Sequence, residues 1–240
     1  MNSCESAYSS VLKRIAAASA AAGRPAARLV AVGKTKPAEA LRALAAVGQT
    51  AFGENYVQEA RAKQAALADL ALEWHAIGPL QSNKAREVAE HFDWLQTLDR
   101  PKLVEALARH RPEGRAPLDV LIQVNIDDES SKSGCAPHEI AWLADAIRDR
   151  PELRLRGLMA IPAPLPDLSR RRRAFARMRE LFDALASDDP GIDTLSMGMS
   201  DDFELAIAEG ATMVRLGTAL FGRRGLDSTA IVPGDILSRA

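Results

Sequence analysis

Short apolar runs recur along the chain, and between them lie longer stretches in which apolar residues return at helical spacing. The runs are Leu29–Val32, Thr50–Asn55, Trp74–Ile77, Trp94–Leu98, Leu118–Asn125, Leu153–Ile161, Thr194–Met197 and Thr212–Leu216, and each reads as a strand. The first seven are followed by Ala38–Val47, Val57–Leu70, Lys84–His91, Lys102–His110, Pro137–Arg150, Arg170–Ala186 and Asp201–Glu209, which read as helices. Gly48 stops the first of them, and Asp99 is the expected N-cap of the fourth, with Pro101 just inside. A strand such as L-D-V-L-I-Q-V-N carries too little polar alternation to face water on one side. Strict βα alternation implies a parallel sheet, and eight units in 240 residues suit closure into a (β/α)8 TIM barrel. An open doubly wound sheet is the alternative, although the dinucleotide fingerprint G-x-G-x-x-G is absent after the first strand. An alanine-rich segment stopping at Gly23 predicts an extra N-terminal helix within residues 1–25, and residues 223–240 form a C-terminal tail of the same 1–240 domain.

Composition narrows the function classes. A formal net charge of −1 gives no basis for a nucleic-acid partner, and no apolar run approaches the ~20 residues that span a bilayer. Cys4 and Cys135 cannot build a disulfide framework, so a reduced, cytoplasmic chain is expected. The run A-A-A-S-A-A-A is preceded by Glu5, Lys13 and Arg14, which break any signal-peptide core. His75, His91, His110 and His138 show no ligand spacing, and no metal is expected.

The first strand ends in G-K-T-K-P, which places Lys34 at a strand's carboxyl end, where α/β folds gather their chemistry. A lysine in partly apolar surroundings loses some preference for its charged form, and the neutral amine attacks aldehydes to form a Schiff base. A lysine snorkelling from the strand end to water is the plain alternative. A nucleotide-binding loop is excluded, because Arg28 stands where G-x-x-x-x-G-K-[ST] requires glycine. The other carboxyl ends carry Glu54, Asn55, His75, Gly78, Thr97, Gln123, Asn125, Met159, Met199, Ser200, Arg215, Gly217 and Thr218, a set more polar than a barrel core needs. Singly, Asn55 could cap a helix, His75 could be a satisfied core histidine and Met159 could be packing. The stretches S-M-G-M-S-D-D and V-R-L-G-T-A-L-F-G lie on adjacent last strands, with a helix expected to begin at Ser200 or Asp201, and together they suggest a phosphate site. Arg215 either reaches into that site or pairs with Asp202 or Glu54. Arg170–Arg173 read as a solvated helix face.

A-V-G-K-T-K-P, F-G-E-N-Y-V-Q-E, W-H-A-I-G-P-L-Q-S-N-K, S-K-S-G, R-G-L-M-A-I-P, S-M-G-M-S-D-D and V-R-L-G-T-A-L-F-G follow in order between about residues 29 and 222. In these stretches the chain resembles the pyridoxal phosphate homeostasis proteins, also called the YggS or PROSC family, related in fold to the N-terminal barrel of alanine racemase (fold type III). The resemblance implies pyridoxal 5′-phosphate as cofactor, with Lys34 as the Schiff-base lysine and Met199, Ser200, Gly217 and Thr218 around the phosphate. It further implies Arg215 near the pyridine nitrogen, Asn55, His75 and Met159 as pocket walls, and Lys36 and Lys132 as secondary sites for the aldehyde. Gly33 departs from the serine the family often has there. Pyridoxal phosphate is the strongest electron sink beside a carboxylate that keeps its ring nitrogen protonated, and an arginine disfavours that state. Related racemases also use a tyrosine supplied through a second, all-β domain, whereas here the tyrosines are Tyr8 and Tyr56 and 18 residues follow Gly222. The expected role is therefore that of a monomer without a second domain, which holds the cofactor and delivers it to pyridoxal-phosphate-dependent apoenzymes without turnover. A racemase-like enzyme is the alternative, and a regulatory interaction protein is a third class.

Overall fold

The computed structural model describes residues 3–128, 133–163, 167–187 and 189–222. A helix, α1 (Ser3–Ala21), precedes eight strands: β1 (Arg28–Val32), β2 (Ala51–Glu54), β3 (Glu73–Ala76), β4 (Trp94–Leu98), β5 (Leu118–Gln123), β6 (Leu153–Met159), β7 (Thr194–Ser196) and β8 (Met213–Leu216). Helices α2 (Ala38–Ala46), α3 (Val57–Ala66), α4 (Ala85–His91), α5 (Pro101–His110), α6 (Ile140–Arg148), α7 (Leu168–Ala186), α8 (Phe203–Ala208) and α9 (Thr218–Phe221) follow them in turn. All neighbouring strands pair in parallel, and β8 pairs with β1 through Leu29↔Val214 and Val30↔Arg215, so the sheet is a closed barrel rather than an open one.

The strands sort their side chains by period two. Val30, Ala51, Trp94, Leu121, Met159 and Met213 form a small apolar cluster separate from the main core. Their neighbours Leu29, Ala31, Phe52, Leu95, Val120 and Leu158 join the larger core shared with the helices. The small cluster fills the barrel interior, and polar residues occupy the interior positions it leaves. Helix α1 packs on α8 and α9, where Arg14 pairs with Glu204 at 2.7 Å and lies over the Phe203 ring, so it braces the last two βα units.

Several boundaries differ from the sequence pattern for local reasons. Helix α5 starts at Pro101, one residue before the expected Lys102, with Arg100 as its N-cap in place of Asp99, which Arg100 engages at 2.6 Å. Helix α7 starts two residues early because Asp167 accepts the backbone N–H of Ser169 at 2.8 Å. Helix α8 starts at Phe203 with Asp202 as N-cap, so Ser200 and Asp201 belong to the turn before it. Helix α9, after β8, is one short turn with no periodicity to betray it. Ser131, Lys132 and the tail 223–240 lie outside the described residues. Among the described residues no helix is long and apolar enough to cross a membrane, and no cluster of potential metal ligands occurs.

The β6–β7 contact requires a residue without a side chain. Gly157 has φ +144, and a Cβ there would overlap the Thr194 carbonyl oxygen. Gly157→Ala is expected to lower unfolding free energy by about 2–4 kcal/mol through backbone strain and displacement of β7. Urea denaturation of the variant checks this; an unchanged midpoint would contradict it.

Candidate functional site

Lys34 stands on a tight turn just past β1. The Lys36 N–H donates to the Gly33 carbonyl at 2.9 Å and closes the turn, and Thr35 adopts φ +63. Closure at β1–β8 sets this turn beside the start of α9. Lys34, Thr35, Lys36, Gly217, Thr218 and Phe221 line a hollow of about 150 Å³. Lys36 is turned away from the strand axis, and its Nζ donates to the Phe221 carbonyl at 3.1 Å. The Lys34 ammonium lies 5.4 Å from the centroid of the exposed Tyr56 ring, which with Asn55 lines an adjoining hollow of about 430 Å³.

On the β7–β8 side, Ser200 Oγ accepts the Ala219 N–H at 3.2 Å, which leaves its own hydroxyl hydrogen for another acceptor. Thr218 opens α9, so its N–H has no intrahelical partner. Asp202 fixes the turn carrying Met199 and Ser200 by accepting the Met199 N–H at 2.8 Å, and Arg171 pairs with Asp202 at 3.5 Å. This pair is nearly buried, with side-chain exposures of 10% and 8%. Arg171 is thus part of the site's scaffold, and the reading of Arg170–Arg173 as a uniformly solvated face does not hold for it. At Gly217 a Cβ would lie 3.2 Å from the Val32 carbonyl oxygen, so the missing side chain serves the approach of β8 to β1 as well as any ligand.

Arg215 is 4% exposed and points into the barrel. Its expected carboxylate partners are taken: Asp202 by Arg171, and Glu54 by Lys63 at 2.7 Å. The guanidinium instead donates to Ser196 Oγ at 2.5 Å and to the Ala160 carbonyl at 2.9 Å. Burial pushes its pKa down to about 10, against the weak pull of Asp202, so it stays charged at neutral pH. A directed line of hydrogen bonds continues from it. An arginine only donates, so Ser196 gives its hydroxyl hydrogen to Gln96 Oε1 at 2.7 Å. Gln96 Nε2 then reaches His75 Nδ1 at 2.9 Å and Met213 Sδ at 3.3 Å. His75 Nδ1 must therefore accept, its proton sits on Nε2, and Nε2 donates to Glu73, which Arg28 holds at 2.8 Å at the far end of the barrel. Burial lowers the His75 pKa against the pull of Glu73, which keeps the ring neutral.

Of the nine sequence-predicted site residues, Lys34, Gly217 and Thr218 meet at one hollow, with Met199 and Ser200 at its β7 side and Arg215 beneath. Asn55 lines the adjoining hollow and does not cap α3, whose N-cap is Tyr56. His75 and Met159 are fully buried in the barrel interior: His75 is stacked 5.3 Å from Trp94 with both nitrogens engaged, and Met159 packs in the inner apolar cluster. Neither lines the two hollows at the mouth.

The comparisons with known proteins place the chain in a family and a fold. The chain matches the family described as alanine racemase, N-terminal domain, over residues 8–225. It is 56% identical over 222 residues to the pyridoxal phosphate homeostasis protein of Pseudomonas aeruginosa, covering 92% of this chain and 95% of that one. With the protein of that name from Escherichia coli K12 it shares 51% over 229 residues, covering 93% and 98%. The chain belongs to the pyridoxal phosphate homeostasis protein family. Among solved structures it resembles PipY of Synechococcus elongatus, determined without PLP (TM-score 0.78, 42% identity, covering 87% of this chain and 100% of that one). PipY with PLP bound gives a TM-score of 0.76 at 39% identity, covering 88% and 100%.

Sequence reasoning passed over three residues in this family member. Tyr56 directly follows Asn55 and carries no motif of its own; Gln96 lies in the middle of β4 and Ser196 ends β7, where a polar residue in an apolar run is the sole signal. Under the Lys34 turn lies Glu54, 2% exposed, whose carboxyl is pushed up to about 7 chiefly by burial. The folded chain then holds this proton between about pH 4.5 and 7 while the unfolded chain does not, so this group makes stability fall as pH rises through that window. Glu54→Gln is expected to remove that decline, on the order of 2–3 kcal/mol. Urea midpoints at a series of pH values check it, and parallel wild-type and variant curves would refute it. Nitrogen NMR at neutral pH is expected to show His75 protonated at Nε2 alone, since burial lowers its pKa and Nδ1 accepts from Gln96; a proton on Nδ1 would break the hydrogen-bond line.

Proposed function

We propose that this chain binds pyridoxal 5′-phosphate, holds it covalently through Lys34 and takes part in intracellular homeostasis of the cofactor, releasing it to apoenzymes that need it. The observation that supports this reading most is the convergence on one barrel mouth of a lysine, a hydroxyl and backbone donor set, and a buried cation. Each matches one part of the molecule. The Lys34 amine suits the aldehyde: nitrogen attacks the carbonyl carbon, water leaves and a Schiff base forms, and hydrolysis reverses the step. The Ser200 hydroxyl and the first N–H of α9 suit the phosphate. Arg215 suits a ring nitrogen kept as an acceptor, since its own fixed charge disfavours protonation opposite it.

When bound, the cofactor supplies an electrophilic carbonyl and a potential electron sink. What this chain's residues do favours holding over turnover. Arg215 works against the protonated ring, Tyr56 is half exposed beside Lys34, and the mouth is open to water that competes with carbanion chemistry. The similar proteins are named for homeostasis and not for a reaction, which supports the same role. A cytoplasmic, monomeric protein is in keeping with it.

Wild-type protein mixed with pyridoxal phosphate is expected to develop a visible absorption band that borohydride converts into a stable mass addition on the Lys34 peptide. Lys34→Ala is expected to lose more than about nine-tenths of that addition. A colourless wild type, or an unchanged yield in Lys34→Ala, would overturn the assignment, and steady racemisation of a free amino acid would overturn the holding role.

A further inference from the structure

The turn that carries Lys34 is strained. Thr35 is β-branched, yet it occupies a left-handed conformation at a turn position that glycine usually fills. Such a residue persists only where its surroundings over-determine it. Here they do so through one buried cation. Lys63, on α3, is 5% exposed, and its Nζ has three hydrogens for three oxygens: the Gly33 carbonyl, Glu54 Oε1 and Glu59 Oε1, each at 2.7 Å. Glu59 Oε1 also accepts the Thr35 N–H at 2.7 Å. The residues on both sides of Lys34 are therefore tied to the same group, Gly33 by its carbonyl and Thr35 by its amide.

The space under the turn is closed as well. A Cβ on Gly33 would overlap Glu54 Oε1, so glycine at this position is what lets the carboxylate sit beneath the turn. Lys36, two residues on, is drawn the other way onto the Phe221 carbonyl. Two amines thus lie close in sequence and border one hollow, and the turn decides which of them faces it freely.

We propose that the buried Glu54–Lys63–Glu59 triad is a positioning device that holds the Gly33–Lys36 turn in its strained form and so selects Lys34 over Lys36 as the amine that captures aldehydes. The inference rests on the aldehyde-binding role given above and adds residues that act on the backbone of the turn, through the Gly33 carbonyl and the Thr35 amide. A displaced amine loses attack geometry steeply with distance, so loosening either tie shifts capture toward Lys36.

The test is a site ratio in wild type, Glu59→Ala and Glu59→Gln. Glu59 is partly exposed, so its truncation leaves the core packing intact, and the amide variant keeps an oxygen for Thr35 and Lys63. Each protein is treated with pyridoxal phosphate and borohydride, and separately with formaldehyde and cyanoborohydride, and the label on Lys34 and Lys36 is counted by peptide mass mapping. Glu59→Ala is expected to lower the Lys34:Lys36 ratio by about tenfold with either aldehyde, and Glu59→Gln is expected to restore it. A wild-type ratio in Glu59→Ala, or equal loss in both variants, would overturn the positioning role. Failure of the cofactor reading shows separately, as wild type that formaldehyde labels at Lys34 and pyridoxal phosphate does not.

Discussion

The ladder between β1 and β8 joins the two ends of the barrel, and the candidate site exists only because that ladder closes. Val30 is paired with Arg215 and Ala31 with Leu216, so the turn after β1 and the turn after β8 emerge side by side. Residues nearly two hundred positions apart then share one hollow. Gly217 allows this approach, since a side chain there would press on the Val32 carbonyl. Helix α1 supports the same seam from outside by packing on α8 and α9.

Two buried cations flank this seam, and the fold satisfies them differently. Lys63 sits between barrel and helices and meets three oxygens directly, two of them carboxylate. Arg215 sits inside the barrel with no carboxylate within ion-pair distance among the described residues, and its charge is answered through Ser196, Gln96 and His75 by Glu73 at the opposite end. An unpaired buried charge would be costly, whereas a line in which every donor has an acceptor fixes orientation and tautomer together. The first arrangement supports Lys34 from below. The second leaves a cation inside the barrel whose counter-charge, Glu73, lies at the far end of the hydrogen-bond line.

The barrel was legible in the sequence because parallel strands buried on both faces leave apolar runs that helices must separate, and all eight runs became strands. Lys34, Ser200, Gly217 and Thr218 were legible for the same reason, being polar or small residues where such runs stop. What the sequence could not show depends on geometry across the chain. Arg171 looked like its neighbours until Asp202 was placed beside it, and His75 stood at a strand's end by number while its ring turned inward. The strain at Thr35 has no sequence signature, because threonine is an unexpected occupant of that conformation. Helix α9 is too short to carry a period, and its place after β8 follows only from closure.

The most direct test of the account is a crystal structure of the protein after loading with pyridoxal phosphate and reduction. The account predicts continuous density from Lys34 Nζ to the pyridine ring, the phosphate between Ser200 and Thr218, the ring nitrogen facing Arg215, and Thr35 still at positive φ. A ring carried by Lys36, or a phosphate held away from the β7–β8 turns, would contradict it.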